Sequence, residues 1–550
     1  MQMTKGHSCE NTFCFARHDE IGAAAAEDDA EFLSACYVDT GDLEVVLNPD
    51  NSKRVIVGRT GAGKSALLNH ICSTEENVIT LSPHSLSLNY IANNNVISFF
   101  EEAGVSLSLF YSLLWRHVLV VELLKAKFNI TNENAQKDYT RHIRKILSKK
   151  NKYKEMAVDY LELWGSKFWL TTEERMHELT QKIESNLSGS LGGTLPGVEM
   201  TAKGAQLLSE EQKVKVVQIG KKVVSEIQIR ELENIISVLS EDIFEDRQQR
   251  YYVIIDGLDE EWVDERIKYS LIKSLVDTVR RLKKIPSVKI LIAMRQDLLD
   301  KVVHSSRDLG FQEEKYESLY LRLGWEKQHL KELVNKRISF LVKRKYTSKP
   351  VGWDDVFPAN VDKLSTIDYL VERTFHRPRD MILFMNECVH TAAGDNKITA
   401  HTIKISEEKY SYNRLQSLVT EWQIIYPELL EVSNMFYGLR ANFQVSTITS
   451  AWLEEKYIEI VDSISDKKGP LAKLLDSLYA ASGNFSSVRN NLIRELHVTG
   501  LLGIKPGPSS TVSWAHKGGR SISQGQLKPS SHVYIHPMFY RALGVNINKT

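Results

Sequence analysis

The stretch Val55 to Ser65 reads VIVGRTGAGKS and sets Gly58, Gly61, Gly63, Lys64 and Ser65 at the spacing G-x-x-x-x-G-K-S. Three β-formers (Val55, Ile56, Val57) lead in, and a largely apolar run (Ala66, Leu67, Leu68, His70, Ile71) leads out. The glycines therefore fall on a strand-to-helix turn, the context in which this spacing wraps a polyphosphate. A side chain at those positions would keep successive backbone N–H groups from turning inward, and the helix N-terminus adds partial positive charge. Lys64 is the cation that reaches the β- and γ-phosphates, and the Ser65 hydroxyl is placed to ligate Mg²⁺. The expected ligand is Mg-ATP, held by Gly58, Arg59, Thr60, Gly61, Ala62, Gly63, Lys64, Ser65 and Ala66.

Hydrolysis needs acids as well as a cradle. Tyr251 to Glu260 reads YYVIIDGLDE, a β-branched and aromatic run that ends in a carboxylate. Such a run is a buried parallel strand, and it delivers Asp256 to the sheet edge where open α/β sheets bind ligands. Asp256 is assigned to Mg²⁺. Glu260 is expected to be the base for the attacking water, because its longer side chain reaches past the metal, with Asp259 as its support. A third apolar run, Val288 to Met294 (VKILIAM), ends in Arg295, which at such a strand end acts as a γ-phosphate sensor; the alternative is a surface arginine that starts the next helix.

These residues need a scaffold, and the chain is long enough for three or four domains. Its 550 residues are 42% hydrophobic and 25% charged, the balance of an ordinary globular protein. Lys plus Arg and Asp plus Glu both total 70, so no global field draws the chain to nucleic acid or an anionic membrane. The most apolar run, Val118 to Leu124, contains Glu122 and is far short of a membrane span. His7, Cys9 and Glu10 stand where a signal peptide needs an apolar core, so a cytoplasmic protein is expected. The 5 cysteines, odd in number and scattered, form no disulfide framework.

The fold class read from these features is α/β: a parallel P-loop core with a large helical insertion, a helical lid and a C-terminal winged helix. Residues 1–20 read as a mobile leader. The core occupies 21–105 and 250–325, the latter closing on an edge strand within Tyr316 to Trp325. Between them, 106–249 is a mainly helical insertion with a helix from Ser106 to Ile130, a basic face from Arg141 to Lys154 and a Gly-rich hairpin within 187–204. The lid, 326–440, contains helices over Gln328 to Lys343, Thr366 to Phe375 and Arg377 to Val389, then a long helical segment from Ile403 to Tyr437. In 441–550, two helical faces and a Gly/Pro-introduced hairpin read as the winged helix, whose second helix carries Arg489, Asn490 and Arg494.

The order of glycine loop, DGLDE strand, arginine-ended strand and helical lid resembles the signal-transduction ATPases with numerous domains (STAND) and their AAA+ relatives. More narrowly, the chain is similar to a bacterial P-loop ATPase family with an AAAEDD-type segment before the loop, here Ala24 to Asp29, and an RPRD-type segment in the lid, here Arg377 to Asp380. Related lids carry Gly-x-Pro-Arg, and here His376 replaces the glycine. The resemblance implies that Arg379 is a second phosphate sensor, and that the protein is an ATP-hydrolysing switch in bacterial antiviral defence. It also implies a separately encoded effector or sensor protein as partner. Assembly with further copies of the chain is left open, DNA is the less favoured partner, and no membrane is expected. The competing reading is a DNA-handling ATPase that uses the winged helix.

Overall fold

Almost unbroken apolar runs mark strands that are covered on both faces. In the computed structural model the runs at Val55, Tyr251 and Val288 become the three inner strands of a parallel sheet. The structure describes residues 13–83, 107–129, 208–216, 236–263, 265–306, 314–345, 351–464, 469–479, 484–518 and 522–547, with single positions within 99–103, 185–189, 205–206 and at 218. The basic face of 141–154 lies outside them, as does the Gly-rich stretch 187–204 apart from Gly189.

In chain order, helices α1 (Ala30–Cys36) and α2 (Asp42–Leu47) precede β1 (Val55–Gly58). Next come α3 (Lys64–Thr74), β2 (Val78–Leu81), α4 (Ser108–Phe128), β3 (Tyr251–Ile255), α5 (Glu265–Leu282), β4 (Val288–Arg295), α6 (Gln296–Ser306) and β5 (Tyr320–Arg322). Helices α7 (Lys327–Lys345), α8 (Thr366–Glu372), α9 (Pro378–Thr391), α10 (Ala400–Trp422) and α11 (Leu429–Asn434) follow. The chain continues through β6 (Asn442–Gln444), α12 (Ser450–Ile460), α13 (Pro470–Asp476), α14 (Phe485–Thr499), β7 (Leu502–Lys505) and β8 (His532–Ile535).

Two compact units result, one of Asp39–Thr60 with Lys64–Leu323, the other of Met1–Val38, Gly61–Gly63 and Gly324–Thr550. The first is built on the sheet of order β2-β3-β4-β1-β5, with every pairing parallel. All five residues of β3 are buried, as are Val288 to Met294 of β4. Helix α4 packs its apolar face on α5, with Leu114, Val118 and Val121 buried alongside Leu271, Leu275 and Val279. The strand expected within Tyr316 to Trp325 is shorter than the sequence suggests. Glu314–Glu317 form a helical turn and three residues, Tyr320–Arg322, join the sheet edge beside β1.

In the second unit, the segments read from sequence as lid and C-terminal domain share one hydrophobic core, from Leu330 and Phe384 to Leu492 and Val533. Helix α9 begins at Pro378, where the missing N–H costs nothing. The long helix expected over Ile403 to Tyr437 stops at Trp422, and Pro427 precedes the separate α11. Strands β6, β8 and β7 form a three-stranded antiparallel sheet in that order, with α12 to α14 lying between β6 and β7 in sequence. The segment Ile21 to Asp29 is held by later residues of the same unit. Arg337 pairs with Asp29, both 2% exposed, and donates to Ile21 O. Asn386 Oδ1 accepts from Ile21 N, and its Nδ2 donates to Gly22 O. The AAAEDD segment thus has a structural reason: its last carboxylate neutralises a buried arginine.

Candidate functional site

The parallel register decides which chain ends meet. β1 lies beside β4 with Gly58 level with Arg295, and β3 lies on the other side of β4 with Ile255 level with Ile292. Gly58, Asp256 and Arg295 therefore leave the sheet at its C-terminal edge, where α/β sheets bind ligands. Gly61 and Gly63 have φ of +77° and +97°, left-handed backbone that L side chains rarely adopt. Helix α3 starts at Lys64. Its ammonium turns back on the loop, donating to Gly58 O at 2.9 Å and Arg59 O at 3.3 Å. Burial lowers the Lys64 pKa, while the nearby Asp259 and Asp256 act in the opposite direction. A half-buried cation thus stands in the field of two of the predicted acids.

The acids are arranged by a tight turn after β3. Asp256 Oδ1 accepts from Gly257 N at 2.8 Å, and Glu260 N donates to Gly257 O at 3.3 Å. Gly257 has φ +79°, and a Cβ there would lie 3.2 Å from Glu260 Oε1. The glycine is needed for the turn and for the close approach of the Glu260 carboxylate. Arg295 Nη1 lies 3.7 Å from Asp259 Oδ2. The same guanidinium makes a two-pronged pair with Asp297, Nε to Oδ1 at 3.0 Å and Nη2 to Oδ2 at 2.9 Å. Asp297 went unremarked in the sequence, although a carboxylate two residues beyond a strand-end arginine was a visible signal.

Ser65 and Asp256 are the residues suited to Mg²⁺. Among the described residues no group of three or more His, Cys, Asp or Glu side chains is set to hold a metal. Mg²⁺ bound chiefly by phosphate oxygens and water asks for no such cage, so one carboxylate and one hydroxyl fit it.

In the second unit, the Arg379 backbone N–H points at Gly61 O at 3.5 Å, and its Nε donates to Ala24 O at 2.9 Å. Asp380 is engaged instead by Arg377 Nε at 3.0 Å and Arg414 Nη2 at 3.1 Å. Burial lowers the Arg379 pKa, with Arg377 and Arg414 adding to the effect. His376 has φ +54°, a left-handed backbone that glycine adopts more readily than histidine. Trp325 was missed in the sequence: its Nε1 donates to Ala62 O at 2.9 Å, a contact with no local signal. Of the α14 side chains that the less favoured DNA reading would use, Arg489 and Asn490 face inward and Arg494 is half-buried. Arg489 and Asn490 are each 7% exposed. Asn490 Nδ2 donates to Leu527 O at 3.2 Å and Arg494 Nε to Ile522 O at 2.7 Å.

A glycine loop between β1 and a helix, with an acid at the end of β3 and an arginine at the end of the strand between them, defines a P-loop nucleoside triphosphatase domain. The chain belongs to the KAP family of P-loop proteins, whose P-loop domain matches residues 45–322. Residues 328–419 match the FunZ-associated C-terminal helical domain. The chain is similar to the putative transposon gamma-delta 80.3 kDa protein of Escherichia coli (strain K12), 22% identical over 544 residues, which cover 97% of this chain and 68% of that protein. It is also similar to the allergen Alt a 2 of Alternaria alternata, 23% identical over 154 residues, 28% of this chain and 80% of the allergen. Among the described residues no helix is long and apolar enough to cross a membrane.

Proposed function

We propose that this protein is an Mg-dependent ATPase of the STAND/AAA+ type, working as a nucleotide-driven switch in bacterial antiviral defence through a separately encoded effector. The observation that carries the ATPase reading is the gathering of Lys64, Asp256, Asp259 and Arg295 at one sheet edge. On this reading Lys64 leaves Gly58 O and Arg59 O for the β- and γ-phosphates, and Ser65 and Asp256 hold Mg²⁺. Glu260 receives the proton of the attacking water, Asp259 supports it, and Arg295 answers to the γ-phosphate. Arg379 is the second sensor, on the lid. The defence setting and the effector rest on resemblance to STAND-type ATPases.

The C-terminal sheet with α12 to α14 is read as a winged helix that packs for regulation. The buried Arg489 and Asn490, and the half-buried Arg494 tied to Ile522 O, support packing over base reading. A second reading, a DNA-handling ATPase, is favoured by the name of the transposon relative. The deciding experiment is the ATPase rate of the purified chain with and without double-stranded DNA, followed by its mass with and without a slowly hydrolysed ATP analogue. The switch predicts nucleotide-dependent assembly with no DNA effect. Strong stimulation by DNA would install the second reading.

A further inference from the structure

The turn that carries Asp259 and Glu260 is pinned from beneath. Each backbone carbonyl from Gly257 to Glu260 accepts a hydrogen bond. Gly257 O takes Glu260 N at 3.3 Å, and Leu258 O takes the indole Nε1 of Trp262 at 3.1 Å. Asp259 O and Glu260 O both take the ammonium of Lys268, at 3.1 Å and 2.7 Å. Lys268 is 7% exposed and Trp262 is 1% exposed, whereas the Asp259 and Glu260 side chains face solvent. Lys268 lies on α5, three residues before the fully buried Leu271 and four before Ile272, so its helix is anchored in the core.

We infer that Lys268 is a positioning residue for hydrolysis, fixing the backbone under Asp259 and Glu260 so that their carboxylates are aimed at the reacting water; this rests on the ATPase reading. A lysine is seldom buried unless its charge is answered. Here two carbonyls of one turn answer it, and charge-assisted bonds hold more firmly than neutral ones. Glu260 O also accepts from Trp262 N at 3.1 Å, so without the ammonium Asp259 O is left to water and Glu260 O keeps one of its two bonds, and the turn is held less firmly. Misplacing a catalytic group by about 1 Å costs on the order of 100-fold in rate. Binding is little affected, because Lys64 and the glycine loop lie on a different element.

The test compares wild type, Lys268→Met and Lys268→Arg in three measurements: amide hydrogen exchange, Mg-ATP affinity and the single-turnover rate. Lys268→Met is expected to speed exchange across 257–262 while leaving β3 and β4 protected. It should bind Mg-ATP within about 3-fold of wild type and hydrolyse it at least ~10-fold more slowly. Lys268→Arg, which keeps the cation and its donors, should recover most of that rate. Unchanged exchange in Lys268→Met overturns the inference, as does faster exchange with an undiminished rate, or a rate loss matched by an equal loss of affinity. If Lys268→Met fails to fold, Lys268→Gln, with a polar chain too short for both carbonyls, carries the same expectations. A wild type that binds but never hydrolyses ATP would defeat the ATPase reading, while the exchange data would still decide whether Lys268 holds the turn.

Discussion

Arg379 lies across Gly61 so closely that a Cβ on the glycine would fall 2.7 Å from Arg379 Cβ. The loop glycine and the arginine of α9 are therefore fitted to one another. Arg379 stands among Arg377 and Arg414, and the nearest carboxylate in sequence, Asp380, is engaged by those two. Arg377 is paired with Glu421 as well, at 3.5 Å, whereas the Arg379 Nε donates to a neutral carbonyl, Ala24 O, a bond that a phosphate can replace. A guanidinium–phosphate pair is a charge-assisted bond of roughly 1.5 to 3 kcal/mol. Arg379→Ala is thus expected to lower turnover about 10-fold or more and to weaken ATP binding more than ADP binding. Melting curves check it. The expected result is an unchanged apo Tm with the ATP-specific shift lost; a lowered apo Tm with the shift intact would make Arg379 a structural tie to Ala24.

Lys64→Ala should abolish nucleotide binding. It removes the cation assigned to the β- and γ-phosphates, whose ammonium now rests on Gly58 O and Arg59 O, while Gly61 and Gly63 keep the turn. Titration calorimetry with Mg-ATP measures this. Wild-type affinity in the variant would remove Lys64 from the site.

Asp259→Asn should slow hydrolysis by about 10-fold, less than Glu260→Gln, with ATP affinity preserved in both. The reason is geometric: Asp259 faces Arg295 at 3.7 Å, whereas the Glu260 carboxylate folds over Gly257 at the head of the turn. Single-turnover rates of the two variants give the order. If Asp259→Asn is the slower, the roles of base and support are exchanged.

Stability should fall in mild acid through His536. Its ring is 2% exposed, accepts from Met538 N at Nδ1, and packs on Phe375, Trp514 and His516 at centroid distances of 4.8 to 4.9 Å. Burial pushes its pKa well below the ordinary value; Asp380 opposes this, and His376, Lys517 and Arg377 reinforce it. The native ring stays neutral while the unfolded chain binds a proton below pH ~6.5. The unfolded state then holds more protons, so stability drops by up to about 1.4 kcal/mol per pH unit as pH falls below that point. Tm measured from pH 7 to 5 should decline more steeply in wild type than in His536→Asn, which keeps an acceptor for Met538 N. Equal slopes would contradict the assignment.

What the sequence made legible was local. The glycine loop, the apolar run ending in Asp256 and the run ending in Arg295 each carry their evidence within a few residues of chain. Ties between distant segments have no such signature. The Asp29–Arg337 pair spans 308 positions, and the bond from Trp325 to Ala62 spans 263. β6 has no clear sequence signature, because a three-residue strand shows too little alternation, and without it the helix α12 that follows has no frame. Lys268 was legible in principle. A lysine three and four residues before core positions of an amphipathic helix is on its buried side, and a buried lysine has a partner to find.

The central claim is hydrolysis at the Lys64–Asp256–Glu260 edge of the sheet. Its most direct test is phosphate release from Mg-ATP by the purified wild-type chain beside Glu260→Gln, with bound nucleotide measured in the same samples. Wild type is expected to release phosphate steadily, and a Glu260→Gln variant that still holds ATP to release it at least ~100-fold more slowly. A wild-type chain that binds Mg-ATP yet releases no more phosphate than that variant would contradict it.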